Sequence, residues 1–133
     1  MVSAVVDTNV LVSAILHDGK PRQLVLELLD KHTIILSRLL LTELADVLSQ
    51  DKFELNSSQV DRFLSSLVQN SKIVPDHNRF AVVFEDMDDD VVINAAYTGR
   101  ADFIVIGDNH LLILKKFKKT MILTVNGMLE ILR

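Results

Sequence analysis

Ser3-Ala4-Val5-Val6-Asp7-Thr8-Asn9-Val10-Leu11-Val12 is the stretch that decides the fold. A short apolar run halts at three residues that favour turns and caps, and a helical pattern starts directly behind them. The same figure returns late in the chain as Phe103-Ile104-Val105-Ile106-Gly107-Asp108-Asn109. Strands that are apolar on both faces belong to a parallel sheet covered on two sides. Working outward, strands are predicted at 3–6, 33–36, 72–74, 103–106 and 121–124. Helical patterns fill the intervals at 9–16, 21–31, 39–50, 57–70, 90–98 and 110–117, with a last one at 126–132. Pro21 suits a first helical turn and Ser57 an N-cap. Strands alternating with helices give an α/β fold, a parallel sheet of about five strands between helical layers.

The 133 residues fit one domain over 1–133, large enough to bury a core without staples. There is no cysteine, hence no disulfide, thiolate zinc site or cysteine nucleophile. No basic-then-apolar leader opens the sequence, and no apolar stretch approaches the ~20 residues that span a bilayer. A soluble cytoplasmic protein without membrane contact is the expectation. Mean hydropathy of +0.29 on so small a chain points to apolar surface covered by a partner. The net charge of −4 at first argues against a nucleic-acid partner, since phosphate binding ordinarily leaves a basic footprint.

Where the acids fall matters more than their sum. Ligands of such sheets bind outside the carboxyl ends of the strands, at the switch point of strand order. Asp7 and Asp108 each follow an apolar strand, where capping and turn roles also suit them. Glu43 follows Leu40 by three positions and precedes Val47 by four, on the buried side of the stripe Leu40, Leu44, Val47 and Leu48. A carboxylate there is costly unless something pairs with it. The densest acidic run is Glu85-Asp86-Met87-Asp88-Asp89-Asp90. A helix dipole accounts for one or two of these acids, not for five in six residues. Asp86-x-Asp88-x-Asp90 opens like a calcium loop, but Val91 and Tyr97 stand where that loop needs Gly and Glu. Successive helical residues lie ~100° apart, so Asp88, Asp89 and Asp90 cannot all face one site. Asp90 shares its face with Ile93, Asn94 and Tyr97 and is the one expected to point inward. Asp7, Glu43, Asp90 and Asp108 at one sheet edge would repel unless a hard cation joined them, and oxygen donors select Mg²⁺ or Mn²⁺. The run Lys115-Lys116-Phe117-Lys118-Lys119 is read as the solvated end of a helix in preference to a phosphate contact. No Walker loop, dinucleotide fingerprint or nucleophile elbow is present.

These segments resemble the PIN-domain family, in order along nearly the whole chain. Val5 to Ala14 is similar to its opening motif, and Leu39-Leu40-Leu41-Thr42-Glu43-Leu44 to its second. Asp86 through Ala96 is similar to the third, and Ala101 to Asp108 to the fourth. The resemblance implies a three-layer α/β/α sandwich and Mg²⁺- or Mn²⁺-dependent cleavage of single-stranded RNA by a metal-activated water. It also implies kinship with the toxins of toxin–antitoxin pairs (the VapC-like group), which are held by a small antitoxin protein and are often homodimers or higher homo-oligomers. Carried over by motif, Asp7, Glu43, Asp90 and Asp108 are the catalytic and metal-binding acids, with Thr8 and Asn9 lining the site. Two positions depart from the pattern. Met87 stands where proline is common, and His110 where many relatives carry another acid, leaving that corner to Asp108.

Other chemistries fit less well. A haloacid-dehalogenase-type phosphatase wants an acid two residues after its nucleophile, where this chain has Asn9. A receiver domain could use Asp76 as acceptor but lacks an acidic pair behind the first strand. A PIN fold kept only for protein binding has no need of all four acids. Setting the quartet aside leaves as many acids as the 14 Lys and Arg, so the net −4 no longer argues against RNA. Its expected consequence is RNA affinity that depends on the divalent ion.

Overall fold

The computed structural model describes residues 1–76, 87–107 and 110–133; of 87–89 and 110 it describes the backbone alone. The chain runs β1 (Ser3–Val6), α1 (Thr8–Leu16), α2 (Lys20–Lys31), β2 (Thr33–Ser37), α3 (Arg38–Leu48), a 3-10 turn at Asp51–Phe53 and α4 (Ser57–Gln69). It continues through β3 (Ser71–Val74), α5 (Met87–Gly99), β4 (Phe103–Ile106), a 3-10 segment at His110–Leu114, β5 (Lys116–Phe117), β6 (Thr120–Thr124) and α6 (Val125–Leu132). The sheet order is β3-β2-β1-β4-β6-β5. Five strands pair in parallel, as expected, and β5 pairs antiparallel with β6 at the edge.

Alternation along the strands sorts two cores. Ala4, Val6, Ile34, Leu36 and Val105 face one side, where α1, α2, α4, α6 and the later turns of α3 deliver Leu11, Leu24, Leu28, Val60, Met128, Leu44 and Leu48. Val5, Ile35, Ile104 and Ile106 face the other side, against Val92, Ile93, Ala95 and Ala96 of α5. This is the period-2 division of a sheet buried on both faces. One helix serves both cores: Leu40 of α3 packs with the α5 layer, while Leu44 and Leu48 pack on the opposite side. α3 therefore straddles the carboxyl end of β2.

Local chemistry accounts for the helix ends. Pro21 lies in the first turn of α2, as expected. Arg22 donates from Nε to the Ala14 carbonyl at 2.9 Å and from Nη2 to Ile15 at 3.0 Å, closing the end of α1 that its own backbone leaves open. α4 corrects the sequence reading. Its cap is Asn56, not Ser57: the Asn56 side chain accepts the Gln59 N–H at 2.8 Å and Gln59 accepts the Asn56 N–H at 3.0 Å. That reciprocal pair satisfies two orphan donors, which a Ser57 cap would not.

The second correction concerns 110–117, read as one helix. A 3-10 segment ends at Leu114, Lys115 turns left-handed (φ 57°), and the chain enters the β5–β6 hairpin. The consecutive apolar residues form no helical stripe; Leu111 is buried while Ile113 is 80% exposed. The lysine run is thus hairpin, not a solvated helix end.

At the end of α5 the roles of two neighbours are exchanged. Ala101 N–H reaches the Ala96 carbonyl at 2.9 Å and Arg100 N–H reaches Tyr97 at 3.2 Å, a Schellman closure. The left-handed residue that this closure needs is Arg100 (φ 55°), where glycine is usual. Gly99 serves another purpose: a Cβ there would stand 2.7 Å from Ile35 Cγ2. The glycine lets α5 press onto the middle of β2.

Candidate active site

β1 lies between β2 and β4, and strand order reverses direction between β1 and β4. Asp7, the residue directly after β1, therefore sits at the switch point, where parallel sheets bind ligands. Its backbone N–H bonds to the Val105 carbonyl of β4 at 2.9 Å. Its Oδ1 accepts the Asn9 N–H at 3.2 Å, so the capping role read from sequence is real. A cap of this kind fixes the carboxylate at the mouth of α1. Thr8 is buried at 2% exposure in the first turn, and Asn9 is exposed beside it.

Glu43 is half-buried in the second turn of α3, between the buried Leu40 and Leu44. Two devices set the start of that helix. The Ser37 side chain accepts the Leu40 N–H at 3.3 Å, and the Asp76 carboxylate accepts the Leu39 N–H at 3.2 Å through one oxygen and 3.4 Å through the other. Asp76 comes from the segment after β3, so the turn carrying Glu43 is tied across the sheet. Sequence reading considered Asp76 only as a phosphoacceptor. Its engagement depends on β2 lying beside β3, which no local pattern announces. Ser37 had a local signal, a serine three residues before Leu40 at a strand–helix junction.

Asp90 is half-buried in the first turn of α5. Of the residues expected on its face, Ile93 is fully buried, Asn94 is 6% exposed and Tyr97 is 39% exposed. Asn94 Nδ2 donates to the Asp90 carbonyl at 2.7 Å, which satisfies the buried amide one turn below the acid. Asn94, placed on the Asp90 face from the sequence, is buried there, though its bond to the Asp90 carbonyl was not foreseen.

Asp108 lies outside the described residues, as does Asp86, and the side chains of Asp88, Asp89 and His110 are likewise outside the description. Among the described residues no three Asp, Glu or His side chains stand close enough together to hold a metal ion. The described donors are all carboxylate oxygens, a set suited to a hard cation and unsuited to zinc. No helix among the described residues is long and apolar enough to cross a membrane.

The comparisons with known proteins agree with this architecture. The family model described as PIN domain matches residues 3–110. The fold is similar to that in the crystal structure of VapBC2 from Rickettsia felis bound to a DNA fragment from their promoter. That similarity has a TM-score of 0.64 at 22% sequence identity, over 92% of this chain and 98% of the other. No curated protein matches the chain. Asp7 at the switch point, the three-layer architecture and a family match over residues 3–110 lead to one statement: the chain belongs to the PIN domain family.

Proposed function

We propose that this chain is a divalent-metal-dependent endoribonuclease that cuts single-stranded RNA, and that it is the toxin of a toxin–antitoxin pair in the cytoplasm. The observation that carries the reading is Asp7 at the β1/β4 switch point, with Glu43 and Asp90 half-buried on helices that pack at the same sheet. Family membership and the fold likeness to VapBC2 support it. Asp7, Glu43, Asp90 and Asp108 would together hold Mg²⁺ or Mn²⁺; the three described acids do not by themselves group closely enough to do so. Bound there, the cation supplies an activated water and offsets charge at the phosphorus. The protein's own part is positioning. The Asn9 N–H fixes the Asp7 carboxylate, Ser37 and Asp76 fix the turn before Glu43, and Asn94 bonds the carbonyl of Asp90. Thr8 and Asn9 line the approach.

An antitoxin protein is the proposed partner, and a homodimer or higher homo-oligomer the proposed assembly. Exposed Leu26, Ile113 and Met121 supply apolar surface for such contacts. The test is a labelled single-stranded RNA incubated with Mg²⁺ or Mn²⁺. Cleavage is expected, and it should vanish with EDTA and with Asp7→Asn. Cleavage surviving both would refute the proposal. A catalytically silent binding module would instead show no Mn²⁺ heat in calorimetry that depends on Asp7 or Asp90.

A further inference from the structure

The amino edge of the sheet, remote from Asp7, holds a pocket of about 740 Å³. Its walls are the last turn of α5 and the β5–β6 hairpin, which bring Arg100, Lys118 and Lys119 together with the rings of Tyr97 and Phe117. Three cations face one carboxylate, Asp102. That carboxylate is already engaged, its Oδ2 accepting the Ser3 N–H at 2.9 Å and the Ser3 hydroxyl at 3.3 Å. Thr120 is also committed, donating to the Ala101 carbonyl at 2.8 Å. Besides the hydroxyls of Tyr97 and Thr98, the remaining polar groups of the pocket are these cations, in a chain of net charge −4.

Two details indicate that the cations are placed rather than scattered. The Lys118 ammonium stands 6.0 Å from the Tyr97 ring centroid and 5.8 Å from that of Phe117, so two aromatic faces hold it at the pocket. Arg100 and Lys118 both occupy left-handed backbone positions, φ 55° and 53°. Turn geometry accounts for both, the Schellman closure for Arg100 and the tight β5–β6 hairpin for Lys118, and it fixes where the two side chains start.

We propose that this pocket binds a phosphodiester of the single-stranded RNA whose cleavage is proposed above, away from the cutting edge and without need of a metal, so that the divalent-ion dependence of RNA affinity expected from the sequence is confined to the cutting edge. The inference rests on that reading for the identity of the strand. α5 links the two places on one face of the sheet: Asp90 in its first turn and Arg100 just past its last lie about 15 Å apart along the helix. A strand of a few nucleotides spans that interval. Arg100, Lys118 and Lys119 would take the phosphate oxygens, with the two rings keeping Lys118 in place.

The experiment uses the full chain carrying Asp7→Asn, in EDTA, with a fluorescein-labelled single-stranded RNA oligonucleotide followed by anisotropy at several salt concentrations. Arg100→Gly and Lys118→Gly are each expected to weaken binding about tenfold and to lower the salt slope by about 0.7. Both should keep or raise Tm, because glycine suits the left-handed backbone, so lost binding cannot be blamed on lost fold. Tyr97 is the single tyrosine, and 3-fluorotyrosine labelling gives one ¹⁹F resonance that RNA should shift. Binding and salt slope unchanged in both glycine variants, or a ¹⁹F resonance indifferent to RNA, would overturn the proposal. So would inorganic phosphate or a mononucleotide displacing the strand at equal concentration. Failure of the cleavage reading is separate: it would remove Asp7-dependent cutting and leave this metal-free binding intact.

Discussion

At its first turn α5 carries Asp90, half-buried, with Asn94 bonded beneath it; just beyond its last turn it is closed by Arg100, exposed and left-handed, beside a lysine hairpin. The two edges of the sheet differ in construction as well as in sign. The carboxyl edge draws its acids from separate elements: Asp7 behind β1, Glu43 on α3 and Asp90 on α5. Their relative placement depends on sheet order and on helices docked in both layers. The amino-edge pocket is lined by two short segments, 96–102 and 117–120, shaped by local turns and joined through the pairing of β4 with β6. Both sites are lost with the fold, but the one assembled from three separate elements should be the more sensitive to how its helices dock, and the one lined by two adjoining segments to changes in its own residues.

The sharpest break in the comparison is Asp7→Asn. Asparagine caps a helix about as well as aspartate, so the fold should persist. Cleavage of single-stranded RNA should fall by more than about a hundredfold, the upper range for disturbing groups one step removed from a metal. An Asp7→Asn protein with near-normal cleavage would detach the switch point from the chemistry.

Core loss comes next. Leu44→Ala should cost about 2–5 kcal/mol in urea unfolding, because Leu44 is fully buried where α3 meets the sheet. Cleavage should drop with it under mildly denaturing conditions, and the ¹⁹F signal of Tyr97, on the same helix as Asp90, should change in the same transition. A smaller effect is expected from Gly99→Ala, about 1–3 kcal/mol, through the 2.7 Å approach to Ile35. Combining it with Ile35→Ala, which removes that Cγ2, should cost less than the two changes separately, since the neighbours share one contact. The least is expected of Asp76→Ala. With Ser37 still capping α3, thermal unfolding should register about 1 kcal/mol or less, and faster amide exchange should be confined to Leu39 and its turn.

Much of this was legible in the residues themselves. Ser3–Val6 and Phe103–Ile106 coincide with the expected strands, because a strand buried on both faces writes its apolar run without interruption. The acids behind them could be picked out because a sheet of parallel strands has one productive edge. Glu43 stood out because a charge inside an apolar stripe is costly, and it is half-buried as that argument requires. The hairpin was not legible, since four apolar residues before a basic run read equally well as helix. Nor was the tie from Asp76 to Leu39, which spans 37 residues and exists only once β2 and β3 lie side by side. Arg100 was hidden by Gly99, whose presence at a helix end conventionally marks the left-handed residue.

The straddling of α3 has a consequence for how the molecule comes apart. The sheet keeps its two cores on opposite sides, and Leu40, Leu44 and Leu48 of one helix reach into both. While α3 stays docked, neither layer can open without disturbing the other, so the cores should melt as a single cooperative unit. Were α3 to detach, the α5 layer and the layer of α1, α2, α4 and α6 would become separate units with separate stabilities. The amides of α3 should then be among the slowest to exchange in the chain, and their exchange should report the global unfolding event rather than local fraying.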